Sequence, residues 1–281
     1  MHKYTWFERI LFLPTFIKKK KLREELQGKT ILITGASSGI GQELSYYLAD
    51  LNVHLVVVAR REEILNSMKE EIEKKNAKVS VYRADLRVES EVEGLLTFIQ
   101  QLPKGLDIIV SNAGKSIRRS IFESTDRFHD FQRTMSLNYF APVKLLLSLI
   151  SMLEKNRGQI IHISTVNTML IPFPYWSAYQ ASKSAFDTWF QSAAPELNIK
   201  GISTSSIYLP LVRTPMIAPT KAYRKMPAMN PLHVAQIIGK CMYTKKRKYR
   251  PWWLVFGQMA SILFRGLYER VIPRTLRKRG K

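Results

Sequence analysis

The chain has 281 residues, 46% of them hydrophobic, and carries 44 Lys and Arg against 22 Asp and Glu, a formal net charge of +22. That length and apolar content suit one α/β domain with a sizeable core. One cysteine, Cys241, excludes an internal disulfide and points to a reducing compartment, and the five scattered histidines give no metal-ligand spacing, so no metal site is expected.

The chain opens on a basic amphipathic segment, 1–27, in which "WFERILFLPTFIKKKK" (6–21) mixes bulky apolar residues with lysines. This apolar run is shorter than the ~20 residues needed to span a bilayer. It also lacks the small-residue cleavage site of a secretory signal. Residues 28–240 alternate apolar runs with helical patterns. "TILIT" (30–34), "VHLVVV" (53–58), "KVSVYRA" (78–84), "LDIIVS" (106–111), "GQIIHIS" (158–164) and "GISTSSIYL" (201–209) are expected as strands. Their continuous or β-branched character fits strands buried on both faces. Between them, "EEILNSMKEEIEKK" (62–75) and "ESEVEGLLTFIQQL" (89–102) have helical spacing. This alternation predicts a doubly wound parallel sheet of the Rossmann type, three layers deep. The last segment, 241–281, again interleaves Trp, Phe, Leu and Ile with cations.

Residues 1–27 and 240–281 together hold 16 of the 22 net charges. Nucleic acid is not the expected partner, because the cations alternate with bulky apolar residues. Rings and aliphatics in the acyl boundary, with cations on anionic headgroups, suit a membrane surface. Packing on the domain, or a contact between copies in a homo-oligomer, is the competing expectation.

Three stretches carry chemistry. The first strand runs into "TGASSGIGQEL" (34–44), where Gly35, Gly39 and Gly41 allow a tight turn and close approach of a pyrophosphate to a helix N-terminus. The second strand ends in Arg60 and Arg61, where an NAD site would place an acid; a guanidinium suits the 2′-phosphate of NADPH. In "SAYQASKSAF" (177–186), Tyr179 and Lys183 stand four apart and share a helix face.

"TGASSGIG", "SNAG" (111–114) and "YQASK" (179–183) resemble, in order and spacing, the short-chain dehydrogenase/reductase family. The resemblance covers about 28–240. It implies NADPH/NADP+ as cofactor, held by Gly35, Ser37, Ser38, Gly39, Ile40, Gly41, Arg60, Arg61, Asp85, Leu86, Asn112, Ala113, Gly114, Tyr179, Lys183 and Thr214. It also implies that Tyr179 is the general acid, its phenol pKa lowered by the Lys183 ammonium. Lys183 would hold the nicotinamide ribose as well, and Asn138 would keep Lys183 in a proton relay. The family's substrate-orienting serine falls at Val166; a short insertion in the following loop would restore Ser164 or Thr165, and both remain candidates. Leu209-Pro210 stands where the family has Pro-Gly.

Residues 111–140 and 208–223 resemble more closely the single-domain bacterial fatty acyl-CoA reductases. That implies reduction of a long-chain acyl-CoA to a fatty aldehyde by a cytoplasmic enzyme peripheral on the inner face of the cell membrane. Lys115, Arg118 and Arg119 would then meet the CoA phosphates, unless the two arginines serve salt bridges with Glu123, Asp126 or Asp130. A reductase of a free aldehyde, ketone or sterol-like carbonyl is the alternative, and a non-catalytic NADPH-sensing protein a remoter one.

Overall fold

Six β-branched or apolar runs become β1 (Thr30–Thr34), β2 (His54–Ala59), β3 (Lys78–Arg83), β4 (Ile108–Ser111), β5 (Gln159–Thr165) and β6 (Ser203–Leu209). The computed structural model describes residues 4–279; the outermost residues of the two basic ends, 1–3 and 280–281, lie outside them. A seventh strand, β7 (Lys248–Tyr249), has no sequence signal because two residues show no periodicity; it pairs with Ser206 and Ile207. All pairings are parallel, in the order β3-β2-β1-β4-β5-β6-β7.

The helices are α1 (Trp6–Leu11), α2 (Lys19–Leu26), α3 (Gly39–Leu48), α4 (Glu62–Ile72), α5 (Glu89–Gln100), α6 (Phe128–Met135), α7 (Ala141–Lys155), α8 (Ser177–Ile199), α9 (Pro231–Thr244), α10 (Leu254–Leu263) and α11 (Arg265–Arg279). One face of the sheet is covered by α2, α3, α4 and α9, whose Leu22, Leu44, Met68 and Ile237 join a single apolar cluster. On the other face α5, α7 and α8 bring Leu95, Leu149 and Phe186 into a second cluster. Three layers result, as a sheet apolar on both faces requires. Among the described residues, Phe128–Lys155 is long and apolar enough to cross a membrane by length and composition. Its Leu145, Leu149 and Leu153 are buried in the second cluster, which makes it a core helix.

The basic ends pack on this body with one face only. Phe12, Leu22 and Leu26 are buried, and α9 runs without a break through 240/241. Leu254 is buried against Val166 and Tyr208. Yet Trp6, Phe7, Ile10, Phe256, Ile262 and Leu263 are exposed. Trp252 Nε1 donates to Ile10 O at 3.0 Å, so the two ends are neighbours.

Candidate active site

The strand order reverses between β1 and β4, and there the two strand ends diverge into a crevice. Thr34 closes β1, and its Oγ1 accepts from the amides of Asn112 and Ala113, both at 3.0 Å. Asn112 Nδ2 returns a bond to Thr34 O at 2.9 Å. The "SNAG" turn is thus fastened to the end of the Gly-rich strand. Gly35 and Gly39 have φ of +68° and +59°, a region that disfavours side chains. A Cβ at Gly35 would lie 2.9 Å from Ala113 Cα, and one at Gly41 2.6 Å from Gly35 O. Ser38 is the N-cap of α3, extended and without a side-chain cap bond, and Ile40 lies in the first turn. The first amides of α3 are therefore not capped by that hydroxyl, and a pyrophosphate is suited to this cradle.

Beyond it, Arg61 donates to Ser37 O at 2.9 Å and to Ser37 Oγ at 3.1 Å, which ties the end of β2 to the Gly-rich turn. Arg60 is more exposed and comes to 3.9 Å from Asp85. Asp85, just before the buried Leu86, is held mainly by Arg87 at 2.5 Å. The hydrogen bond from Arg87 keeps its carboxyl below the usual range. Arg87 carries no sequence signal, since i,i+2 pairing belongs to the local turn.

Tyr179 and Lys183 lie in the first two turns of α8, which reaches β5 through Lys183. Lys183 is buried, and its Nζ donates to Ile163 O at 3.1 Å. Burial pushes its ammonium down to about 8, partly opposed by the charge of Asp187. The Thr165 hydroxyl, whose Oγ1 accepts from Asn167 N at 3.3 Å, lies near the Tyr179 phenol. Burial raises that phenol to about 12, and the nearby Thr165 hydroxyl offsets only part of the rise. The expected lowering by Lys183 therefore has no counterpart in this geometry, where the ammonium is bonded to a strand carbonyl.

Asn138 sits in a π-helical turn, Ser136–Phe140, between α6 and α7; the extra residue per turn re-aims its side chain. Its Oδ1 accepts from Lys115 N at 2.9 Å, and its Nδ2 donates to Lys115 O and Ser182 Oγ at 3.0 and 2.9 Å. A Cβ on Gly114 would lie 3.3 Å from Asn138 Oδ1 and 3.5 Å from Lys183 Nζ, so Asn138, Gly114 and Lys183 meet in one place.

Ser164 and Thr165 part company. Ser164 is buried and its Oγ donates to Asp187 Oδ1 at 3.0 Å, whereas Thr165 Oγ1 accepts from Asn167 N at 3.3 Å on the side of Tyr179. Asp187 belongs to a buried cluster that sequence reasoning missed. Tyr208 donates to its Oδ2 at 3.4 Å, and His162 Nε2 stands 3.6 Å from Oδ1. Burial lowers His162 to about 4, so its ring is neutral. The signal for Asp187 was present: Tyr179, Lys183 and Asp187 fall at i, i+4 and i+8 on one helix face.

The candidate substrate residues also separate. Arg119 donates to the buried Asp130 at 3.1 Å, with Arg127 and Arg133 on the same carboxylate, so it serves the local ion pair. Arg118 lies over the Tyr175 and Trp176 rings at 4.7 and 5.3 Å. Burial depresses Lys115, and Arg133 adds to the effect. Thr214 rests on the Gly-rich turn: a Cβ on Gly39 would come within 2.9 Å of its Cγ2.

A doubly wound parallel sheet, a glycine cradle at its switch point and a Tyr/Lys pair beside it define a dinucleotide-binding class of fold. The short chain dehydrogenase family profile matches residues 29–225, and the chain belongs to that family. It is 41% identical over 243 residues to a fatty acyl-CoA reductase of Acinetobacter baylyi, covering 86% of this chain and 81% of that protein. A fatty acyl-CoA reductase of Mycobacterium tuberculosis is 36% identical over 81% of this chain and 78% of its own. A short-chain dehydrogenase from Sphingobium yanoikuyae, solved in complex with NADPH, shares the fold with a TM-score of 0.74 at 21% identity; 87% of this chain and 95% of that one are covered.

Proposed function

We propose that this protein is an NADPH-dependent oxidoreductase that reduces a long-chain fatty acyl-CoA to the fatty aldehyde, with Tyr179 as general acid. The observation that carries this reading is the convergence of Tyr179, Lys183, Thr165 and Asn138 beside the glycine cradle. The two acyl-CoA reductases to which the chain is similar supply the substrate class. Arg61, fixed on Ser37, and the freer Arg60 suit the 2′-phosphate of NADPH.

NADPH, when bound, supplies the hydride. The chain's residues position and protonate. The Thr165 hydroxyl and the Tyr179 phenol together hold the substrate carbonyl oxygen as negative charge develops on it. A phenol raised to about 12 stays protonated at neutral pH, as a proton donor must. Asn138 fixes the turn at Lys115 that borders Lys183. Arg118, stacked on Tyr175 and Trp176, offers a cation to the CoA phosphates. The enzyme works in the cytoplasm, peripheral on the inner face of the cell membrane, because the exposed apolar faces of α1 and α10 sit beside a strongly basic chain end.

The test follows NADPH absorbance with acyl-CoAs, fatty aldehydes and ketones, and assays release of CoA thiol. Acyl-CoA should be consumed with thiol release, and Tyr179→Phe should lower kcat by roughly 10²–10⁴-fold. Reduction of free carbonyls without thiol release from any acyl-CoA would replace the substrate class.

A further inference from the structure

The N-terminal helix α1 is inverted with respect to an ordinary surface helix. Trp6, Phe7 and Ile10 are exposed, while Glu8 is 2% exposed. A carboxylate in that position is costly unless every lone pair is engaged. Glu8 is so engaged. Its Oε2 accepts from Thr5 N and Thr5 Oγ1 at 3.0 and 3.1 Å, completing a capping box. Its Oε1 accepts from Ala228 N at 3.1 Å and pairs with the Arg213 guanidinium. Burial pushes the carboxyl upward, but these bonds and the Arg213 charge outweigh it and hold the group below the usual range.

Arg213 and Ala228 are the two ends of one loop between β6 and α9. Its neck is closed by Met229 N to Leu211 O at 2.7 Å and Arg213 N to Met229 O at 2.9 Å. Thr214, next to Arg213, rests on Gly39 in the Gly-rich turn. The same N-terminal segment grips the loop base twice more. Tyr4 Oη accepts from Asn230 N at 2.8 Å, and Tyr4 and Thr15 occupy both ring nitrogens of His233, each at 3.0 Å.

We propose that Glu8 is a positioning residue for the cofactor site: through Arg213 and Ala228 it straps the 211–230 loop so that Thr214 lies against the Gly-rich turn. This rests on the NADPH reading above. Among the described residues Arg213 Nη1 is buried without a hydrogen-bond partner and Glu8 is the carboxylate paired with the guanidinium, so loss of the Glu8 charge leaves it uncompensated. The arginine would then turn toward water and carry Thr214 with it.

The full chain carrying Glu8→Gln is compared with Leu22→Ala, which weakens the packing of the N-terminal segment on α9 and leaves the loop contacts intact. NADPH dissociation constants are read by fluorescence, and hydrogen exchange is followed across 211–230. Glu8→Gln should weaken NADPH about tenfold and speed exchange at the Ala228 amide. Glu8→Asp, with the charge on a shorter arm, should fall between it and the unmodified chain. Leu22→Ala should change neither readout at comparable loss of melting temperature. Unchanged exchange across 211–230 in Glu8→Gln overturns the strap, and so does an equal loss of NADPH binding in Leu22→Ala. An unmodified chain that binds no NADPH overturns the cofactor reading instead, while the exchange result still decides whether Glu8 holds the loop.

Discussion

Ser164 and Thr165 are adjacent on β5, and adjacent residues of a strand face opposite ways. One hydroxyl must therefore point away from Tyr179, and it is Ser164, whose proton goes to Asp187. Thr165→Ala should lower kcat by about two orders of magnitude, the scale of a lost oxyanion donor. Ser164→Ala should leave kcat within a few-fold and lower the melting temperature, because Asp187 loses a buried donor. The reverse result would place the substrate on the Ser164 side. Lys183 makes a stability prediction of opposite sense to its activity. Its pKa of about 8 in the fold lies below the ordinary 10.5. Below pH 8 both folded and unfolded chains hold the proton, and the full penalty is present. Between these values the unfolded chain binds more protons, so stability rises with pH. Lys183→Met should thus abolish turnover yet raise stability at pH 7, by up to about 3 kcal/mol. Chemical denaturation at pH 7 and pH 10 measures it, with the gain shrinking at the higher pH. A Lys183→Met chain less stable at both would show that the Ile163 bond outweighs desolvation.

At the scale of elements, the adjacent Arg118 and Arg119 in the loop after β4 have different jobs. Arg119 is spent on Asp130, and Arg118 is stacked on two rings contributed by the segment just before and at the cap of α8. Contacts to the CoA phosphates bind ground state and transition state alike, so they act on KM. Arg118→Ala should raise the KM for a long-chain acyl-CoA several-fold, with kcat nearly constant and the KM for the matching aldehyde unmoved. Arg119→Ala should instead lower the melting temperature and move both KM values together. Equal effects of Arg118→Ala on both substrates would make that arginine structural too. In α10 the small and polar Gly257 and Ser261 face the body, at Leu170 and Ile171, while Phe256, Ile262 and Leu263 face outward. A water-facing helix shows the opposite pattern.

For the whole molecule, that inversion occurs at both chain ends, and Trp252 bonded to Ile10 O brings them together. An exposed apolar surface flanked by cations fits an anionic bilayer. The protein should sediment with anionic liposomes and much less with neutral ones. Salt should weaken the attraction, each near-surface cation being worth about 1 kcal/mol. Phe256→Ser with Leu263→Ser should release the protein at unchanged melting temperature, since neither side chain is buried. Equal sedimentation with both kinds of liposome would leave charge without a role. Loss of self-association in the double variant would turn the face into a contact between copies.

Six strands, the Gly-rich turn and the Tyr179–Lys183 pair are legible in the sequence because each depends on neighbours only a few residues away. A strand shows its burial as a β-branched run, a tight turn shows its glycines, and one helical turn fixes four residues of spacing. The remainder was decided by packing between segments far apart in the chain. Nothing near Ser164 says that Asp187, 23 residues on, lies behind it. Glu8 meets Arg213 across 205 residues, and its apolar neighbours give no hint that the charge is the buried member of the helix. β7 exists because β6 had an open edge, which a two-residue stretch could cover without a pattern of its own. Composition showed that both chain ends are apolar and basic; only tertiary packing decided which side of each helix is covered, and so which apolar residues are left facing out.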